Sequence, residues 1–422
     1  MKFTLFTRLS YFSHFWIVNH FVVYHFTNTT FILIVIKYHI FKKEGLMKKI
    51  IIIGAGILGV TTAYRLAKFG IQVILIDRNE EGQATRAAAG IICPWLAQRR
   101  NKAWYKLAKG GAAIYPELIA ELMEDGETET GYRRVGALGL HTDETKLFKT
   151  EQRVVERRKE APEIGDITLL NEQETQKLFP LLNDNFKSIH VSGAARVDGR
   201  ALRHALLSAA KKYGATIING DAELLVDGNN IIGTIVNKEQ IRADQVIVTA
   251  GAWMNELFKP LGVHFGSYPQ KAQIIHLQMP GMKTNQWPVM MPPNNQYMLT
   301  LEDHRIVIGA THETKEGFDR RVTAGGVHEV LSKALEVAPG LAQSTILETR
   351  VGFRPFTPGS LPIIGTLPNF HGLLLANGLG ASGLTIGPYL GTELAKLALG
   401  MDLQIDLSNY DVHTAIKENG EA

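Results

Sequence analysis

The spacing of apolar residues divides the chain into elements before any motif is considered. Residues 49–53 form a short apolar run bounded by glycine, the pattern of a buried parallel strand. Residues 57–69 place Leu58, Thr62, Leu66 and Phe69 at helical spacing, and Gly70 stands where a C-terminal cap is expected. Residues 71–76 predict a second strand, ending on Asp77, so that strand, glycine-rich turn, helix and strand make one β-α-β unit. Residues 103–123 predict a helix with Leu107, Tyr115, Leu118, Ile119 and Leu122 apolar, and residues 141–160 a charged, solvent-facing segment. A turn at 193–199 leads into an amphipathic helix over 200–213, with Leu202, Ala205, Leu206, Ala209 and Ala210 on one stripe. Strands are expected at 216–219, 231–236 and 245–249. From 268 to 311 short, proline-interrupted strands suit an antiparallel sheet. Helices at 327–337 and 384–399 close the pattern.

Charge changes this picture only at the start of the chain. The 422 residues carry 45 Lys and Arg against 41 Asp and Glu, but residues 1–46 hold five of the basic residues and one acidic one, leaving 40 of each sign from Met47 onward. The first 46 residues also contain 12 of the 35 aromatic residues and no Ala, Pro or Asp, a composition foreign to the other 376 residues. Their longest unbroken apolar block, 31–36, falls far short of the roughly 20 residues a membrane helix needs. The expectation is that residues 1–46 are a non-native extension and that synthesis starts at Met47. The alternative is a membrane-surface anchor in which Lys37, Lys42 and Lys43 flank apolar residues. The neutral remainder gives no electrostatic case for nucleic acid. One cysteine, Cys93, excludes an intramolecular disulfide and a multi-cysteine zinc site, and a cytoplasmic location is expected, peripheral to the membrane if the anchor reading holds.

Gly54, Gly56 and Gly59 form G-x-G-x-x-G between the first strand and the first helix, and Asp77 lies 18 residues beyond the last of them. The first glycine permits a tight turn, the second lets backbone approach a pyrophosphate, and the third lets helix and strand pack closely. The helix start at Ile57 and Leu58 offers unpaired N–H groups to phosphate, and Asp77 can accept from a ribose diol. The unit alone does not separate NAD from FAD, since both contain an ADP half.

Four later segments do: the small-residue run Thr85 to Gly90; the strand and turn from Val246 through Gly251 to Trp253; Gly352-Phe353-Arg354-Pro355 followed by Pro362 to Gly365; and Asn377-Gly378-Leu379-Gly380-Ala381-Ser382-Gly383 opening the last helix. With the glycine turn they resemble, in order, the FAD-dependent oxidoreductases of the D-amino-acid oxidase, glycine oxidase and D-amino-acid dehydrogenase family. The resemblance runs from Met47 to about Asp411. It implies an α/β (α+β) protein, a Rossmann-like FAD-binding domain with an inserted substrate domain built on an antiparallel sheet. The expected FAD domain comprises 47–132, 190–258 and 347–412, and the substrate domain 133–189 and 259–346.

Carried onto this chain, the resemblance implies non-covalent FAD. Gly54, Gly56, Ile57, Leu58, Gly59, Asp77 and Arg78 would hold its ADP half, with Glu223 at the adenine. Ala84, Thr85, Ala88, Ala89 and Gly90 would pass near the pyrophosphate and flavin, Leu379, Gly380, Ala381, Ser382, Gly383, Leu384 and Thr385 would wrap the isoalloxazine edge, and Gly251 and Gly378 would also bind the cofactor. Arg354 matches the arginine that binds the substrate carboxylate, for which a planar guanidinium fork is suited, and Tyr297 a tyrosine lining the substrate pocket. The chain departs from glycine oxidases at Leu379 and Ala381, where those carry a histidine and an arginine, which leaves the substrate open.

The implied reaction is oxidative deamination of a small D-amino acid or glycine, with dioxygen, a quinone or another carrier as electron acceptor. The alternatives are a secondary amine such as sarcosine, a 2-hydroxy acid, or a flavin-holding interaction protein without turnover. A homo-oligomer is left open. Cys93 does not match a flavin-attachment position and reads as a small buried hydrophobe. His264, His276, His304 and His312 lack metal-ligand spacing and read as core or surface residues, so no metal is expected.

Overall fold

The computed structural model describes residues 48–279 and 281–417, together with two short strands near the start, Trp16–Val18 and Phe21–Val23. These two pair antiparallel with Trp16 opposite Val23. The expectation that residues 1–46 are foreign to the native protein falls for the most part outside the described residues.

Lys49–Ile53 lies in the middle of a six-stranded sheet ordered Thr216–Asn219, Gln72–Asp77, Lys49–Ile53, Gln245–Val248, Leu373–Asn377 and Ile363–Thr366. The first five strands run parallel and the last antiparallel to its neighbour. Register puts Ile51 between Ile74 and Val246. Strand alternation then sends Ile50, Ile52, Val73, Leu75 and Ile247 to one face and Ile51, Ile53, Ile74, Ile76 and Val246 to the other. Both faces are covered, which is why the run reads as continuously apolar.

On the first face the helix Ile57–Lys68 packs between Gly383–Ala398 and Gly199–Lys212, with Lys102–Glu124 behind Gly383–Ala398. Its end is set as the sequence implies: Gly70 has φ +79°, its N–H reaches the Ala67 carbonyl, and the Ile71 N–H reaches that of Leu66, the paired bonds of a Schellman motif. The second face carries the antiparallel strands Ala222–Asp227, Asn230–Val236 and Glu239–Arg242 and the short helix Met254–Phe258.

A second, eight-stranded sheet is ordered Thr345–Phe356, Tyr268–Gln278, Arg305–Gly309, Tyr297–Thr300, Val289–Met291, Ala137–His141, Lys187–Val191 and Ile167–Leu170. Its neighbours are antiparallel except Val289–Met291 with Ala137–His141. The helix Ala324–Val337 covers one face, where Val330 and Ala334 meet Ile275, Leu277, Ile306 and Ile308. The opposite face presents Ala272, Ile274 and Tyr297 to the interior.

Three elements differ from expectation. The charged segment 141–160 holds a helix, Glu144–Arg158, capped by Asp143, because Leu147, Thr150 and Val154 make a narrow buried stripe among the charges. The stretch expected to hold only short strands begins with the eleven-residue Tyr268–Gln278. Its partner, the twelve-residue Thr345–Phe356, has no sequence signature because it is an edge strand, exposed over its first three residues and alternating irregularly after them.

Candidate active site

A cavity of about 670 Å³ lies between the two sheets. Its walls include Ile53, Ile76, Thr249 and Ala376, at the carboxyl ends of the parallel strands, and Ala272, Ile274 and Tyr297 from the inner face of the larger sheet. Ligands of open parallel sheets bind at such strand ends.

The glycine turn is built as its spacing requires. Gly54 has φ +102°, and a side chain there would strike the Thr249 carbonyl at 2.6 Å. Gly56 borders the cavity, and a Cβ there would meet only the Thr85 hydroxyl, at 3.5 Å, so its absence keeps the cradle open. Asp77 is 9 % exposed and takes three donors, the Ala55 N–H at 2.6 Å, the Asn79 N–H at 2.7 Å and the Gln83 amide at 2.8 Å. It therefore fixes the turn as well as facing the cavity. Thr85 accepts from the Ile57 N–H at 3.0 Å, tying the small-residue run to the helix start.

The two helices that begin at the cavity, Ile57–Lys68 and Gly383–Ala398, have no side-chain N-cap and no acidic residue in their first turns. Apart from the Ile57 N–H, which Thr85 takes, no side chain occupies these positive dipole ends, and they are left for a ligand.

Of the expected cofactor contacts, Gly54, Gly56, Ile57, Leu58, Asp77, Arg78, Ala84, Thr85, Ala88 to Gly90, Glu223, Gly251 and Leu379 to Thr385 line this one cavity. Gly59 and Gly378 do not. A Cβ at Gly59 would lie 1.9 Å from the Gly54 carbonyl oxygen, and one at Gly378 would lie 2.2 Å from the Thr357 hydroxyl, so both serve packing. Arg78 is on the wall with its guanidinium engaged by Glu80 at 3.2 Å, Asp221 at 3.2 Å and Glu256 at 2.9 Å.

At the other end, Arg354 and Tyr297 stand side by side. Burial pushes the Tyr297 phenol above the ordinary tyrosine range, and the Arg354 charge offsets part of that rise. The Arg354 guanidinium donates to the Gln270 amide oxygen at 3.1 Å and forms no ion pair with any described carboxylate. The acidic residues of the cavity, Asp77, Glu80, Asp221, Glu223 and Glu256, all belong to the end that holds the glycine turn and Arg78.

Sequence reasoning missed several wall residues. His312, expected in a core or surface role, lines the cavity near Arg354; desolvation and then that charge push its imidazole below the usual histidine range. Asn295, Met291 and Trp104 also line it, and Trp104 donates from its indole N–H to Ser382 Oγ at 3.2 Å. None has a local signal. Among the described residues no group of three or more His, Cys, Asp or Glu is placed to hold a metal, and no helix is long and apolar enough to cross a membrane.

The residues present fit FAD: a glycine cradle at a helix start for the pyrophosphate, a carboxylate at the second strand end, and an uncapped helix start at the far end. The profile of the FAD dependent oxidoreductase family matches residues 49–397. The chain belongs to this family. Proteins similar to it include uncharacterized oxidoreductase YurR of Bacillus subtilis, 62 % identical over 366 residues, covering 86 % of this chain and 98 % of the relative. Glycine oxidase of Pseudomonas aeruginosa is 30 % identical over 369 residues, with the same two coverages. Among solved structures, iminodiacetate oxidase from Chelativorans sp. BNC1 superposes with a TM-score of 0.84 at 47 % identity, covering 86 % of this chain and 98 % of that one.

Cys93 lines the cavity of this oxidoreductase, but burial pushes its thiol up to about 12, which keeps it protonated and a poor nucleophile. Acid precipitation is expected to release all of the flavin into the supernatant, and iodoacetamide at pH 8 to leave native Cys93 unmodified. A yellow pellet would show a covalent link.

Proposed function

We propose that this FAD-dependent oxidoreductase oxidises the α carbon of a small D-amino acid, glycine or an N-substituted relative, with the substrate carboxylate held by Arg354 and Tyr297. The observation that carries the reading is the Arg354 guanidinium, which lines the cavity with the neutral groups of Gln270 and Tyr297 as its hydrogen-bonded partners and no countercharge among the described residues. A desolvated cation without an anion is costly, and a bound carboxylate supplies one through two parallel bonds. The expected roles of the FAD-contacting residues, and of the stretches 47–132, 190–258 and 347–412 as the FAD domain, belong to the same proposal.

FAD held by the glycine turn and the Leu379 to Thr385 segment would supply the oxidising power, as the acceptor of a hydride from the substrate α carbon. The chain's own part is to position and to polarise. Arg354 and Tyr297 fix the carboxylate, which orients the α C–H, while the apolar walls Ile274, Met291 and Leu379 limit water. No acidic side chain lines this end, and in this scheme the substrate amine reacts in its neutral form, its lone pair driving hydride loss. Hydrolysis of the imine product then yields a keto acid and ammonia from a primary amine. The similarity to an iminodiacetate oxidase favours a second reading, in which the amine is secondary and hydrolysis yields an aldehyde or keto acid and a smaller amine.

The test is anaerobic bleaching of the yellow holoenzyme with a panel of D-amino acids, glycine and N-substituted glycines, followed by product analysis. Bleaching by none of them, nor by 2-hydroxy acids, would overturn the reading. Mixing the reduced enzyme with oxygen or with a quinone analogue separates oxidase from dehydrogenase. In Arg354→Leu the flavin is expected to remain bound while KM rises about tenfold to a hundredfold, the equivalent of one charge-assisted hydrogen bond of about 1.5 to 3 kcal/mol. An unchanged KM would remove Arg354 from the substrate site.

A further inference from the structure

The Arg354 end of the cavity holds more hydrogen-bond donors than one carboxylate group explains. Asn295 lies on the turn that precedes the Tyr297–Thr300 strand, and Lys333, from the covering helix Ala324–Val337, donates to its Oδ1 at 3.2 Å. An ammonium can only donate, so the bond fixes which way the amide points and leaves the Asn295 NH₂ as a donor. The turn is itself anchored: Gln296, 5 % exposed, donates from Nε2 to the Ala310 carbonyl at 3.0 Å, which ties the Asn295 segment to the one carrying His312. Both side chains line the cavity that Arg354 and Tyr297 line. Glu329 is the acidic group facing His312, and it is bonded to Lys333 at 2.7 Å.

The rim is therefore a set of donors on separate elements from Arg354, backed by a lysine and without a lining carboxylate. Asn295 and His312 are exposed, while Arg354 and Tyr297 are half-buried, so the two sets of donors lie at different depths of one cavity. A substrate with a single carboxylate leaves the outer set to water.

We infer that Asn295 and His312, with Lys333 behind them, form a second carboxylate subsite, and that the preferred substrate is a dicarboxylic amine with one carboxylate on Arg354 and the other at this rim. The inference rests on the assignment of Arg354 to the first carboxylate. The second carboxylate can sit on the nitrogen arm, as in iminodiacetate, or on the carbon arm, as in aspartate, and the test distinguishes them. Asn295 and His312 touch substrate in this scheme; Lys333 is a positioning residue that orients the Asn295 amide.

The experiment titrates the visible flavin spectrum of the holoenzyme with glutarate, which matches iminodiacetate in length but cannot be oxidised at nitrogen, and with pentanoate, its one-carboxylate counterpart. Glutarate is expected to bind at least about tenfold more tightly. Asn295→Ala and Lys333→Met are expected to bring the ratio close to one, and Lys333→Arg to restore most of it. Parallel turnover of iminodiacetate, sarcosine, D- and L-aspartate and alanine assigns the arm: the dicarboxylate with KM at least about tenfold below its one-carboxylate partner carries the second group where the rim meets it. Equal affinities for glutarate and pentanoate, or a ratio that survives Asn295→Ala, would overturn the subsite while leaving Arg354 in place. Binding of neither acid together with no bleaching by any amine would overturn the Arg354 assignment as well.

Discussion

Gly59→Ala is expected to yield protein that melts earlier than wild type and purifies with little or no flavin. Exchange of glycine for alanine inside a helix ordinarily stabilises by about 1 kcal/mol. Here the added Cβ would lie 1.9 Å from the Gly54 carbonyl oxygen and 2.5 Å from the Thr249 hydroxyl. Neither can withdraw cheaply. The Gly54 carbonyl accepts from that same hydroxyl at 2.8 Å, and the Gly54 N–H donates to the Ile76 carbonyl at 2.8 Å, so the turn is tied to both neighbouring strands. Overpacking against backbone costs about 1 to 3 kcal/mol or more, which exceeds the propensity gain, and the relief it forces moves the turn that faces the cavity. Gly325→Ala is the control, because that helical glycine is exposed with nothing within 4 Å of an added Cβ. It is expected to hold or raise the melting temperature with an unchanged flavin-to-protein absorbance ratio. A Gly59→Ala protein with full flavin content and an unshifted melting temperature would show that the helix and turn separate without cost.

The same contrast explains what the sequence could and could not disclose. The β-α-β unit was legible because its determinants are local: a glycine every few positions where backbone must approach backbone, an apolar run for a strand buried on both faces, and an acidic residue at the next strand end. The helix Gly383–Ala398 was legible for the same reason, as a small-residue turn feeding a long apolar stretch. The substrate end is assembled by register instead. Arg354 meets Gln270 across 84 residues because Thr345–Phe356 pairs along the whole of Tyr268–Gln278. His312 and Asn295 share a cavity because Tyr297–Thr300 pairs with Arg305–Gly309. Neither pairing is written in spacing, and a histidine or asparagine beside a strand carries no local mark of facing a cavity. Arg354 and Tyr297 were reached through family likeness, which transfers positions that periodicity does not.

Acid sensitivity between pH 6.5 and 4 is the second large effect, and its source is His276. This residue of the Tyr268–Gln278 strand is 1 % exposed, and neither ring nitrogen has a hydrogen-bond partner. Burial first, and then Arg350, push its imidazole down to about 4; Arg305 and Arg200 act in the same direction, and Glu348 opposes them. In the unfolded chain the ring takes a proton at about pH 6.5, which the folded protein refuses until about pH 4. Stability is therefore undiminished above the unfolded value and is lost as pH falls through the interval, by about 2 kcal/mol at pH 5 and about 3 kcal/mol at pH 4. His141, His190 and His312, all shifted downward, add to the wild-type slope near its upper end. Carboxylates such as Glu348, shifted down chiefly by its bond to Arg350, extend the loss at lower pH. His276→Leu isolates the one group. It removes a titrating ring and two unpartnered polar atoms while keeping an apolar side chain in the strand, so urea midpoints at pH 7.5 are expected to be no lower than wild type. The fall in unfolding free energy from pH 7.5 to pH 5 is expected to be smaller in the variant by about 2 kcal/mol. An identical fall in both proteins would mean that the buried ring finds a proton-stabilising partner in solution and that the acid sensitivity originates elsewhere.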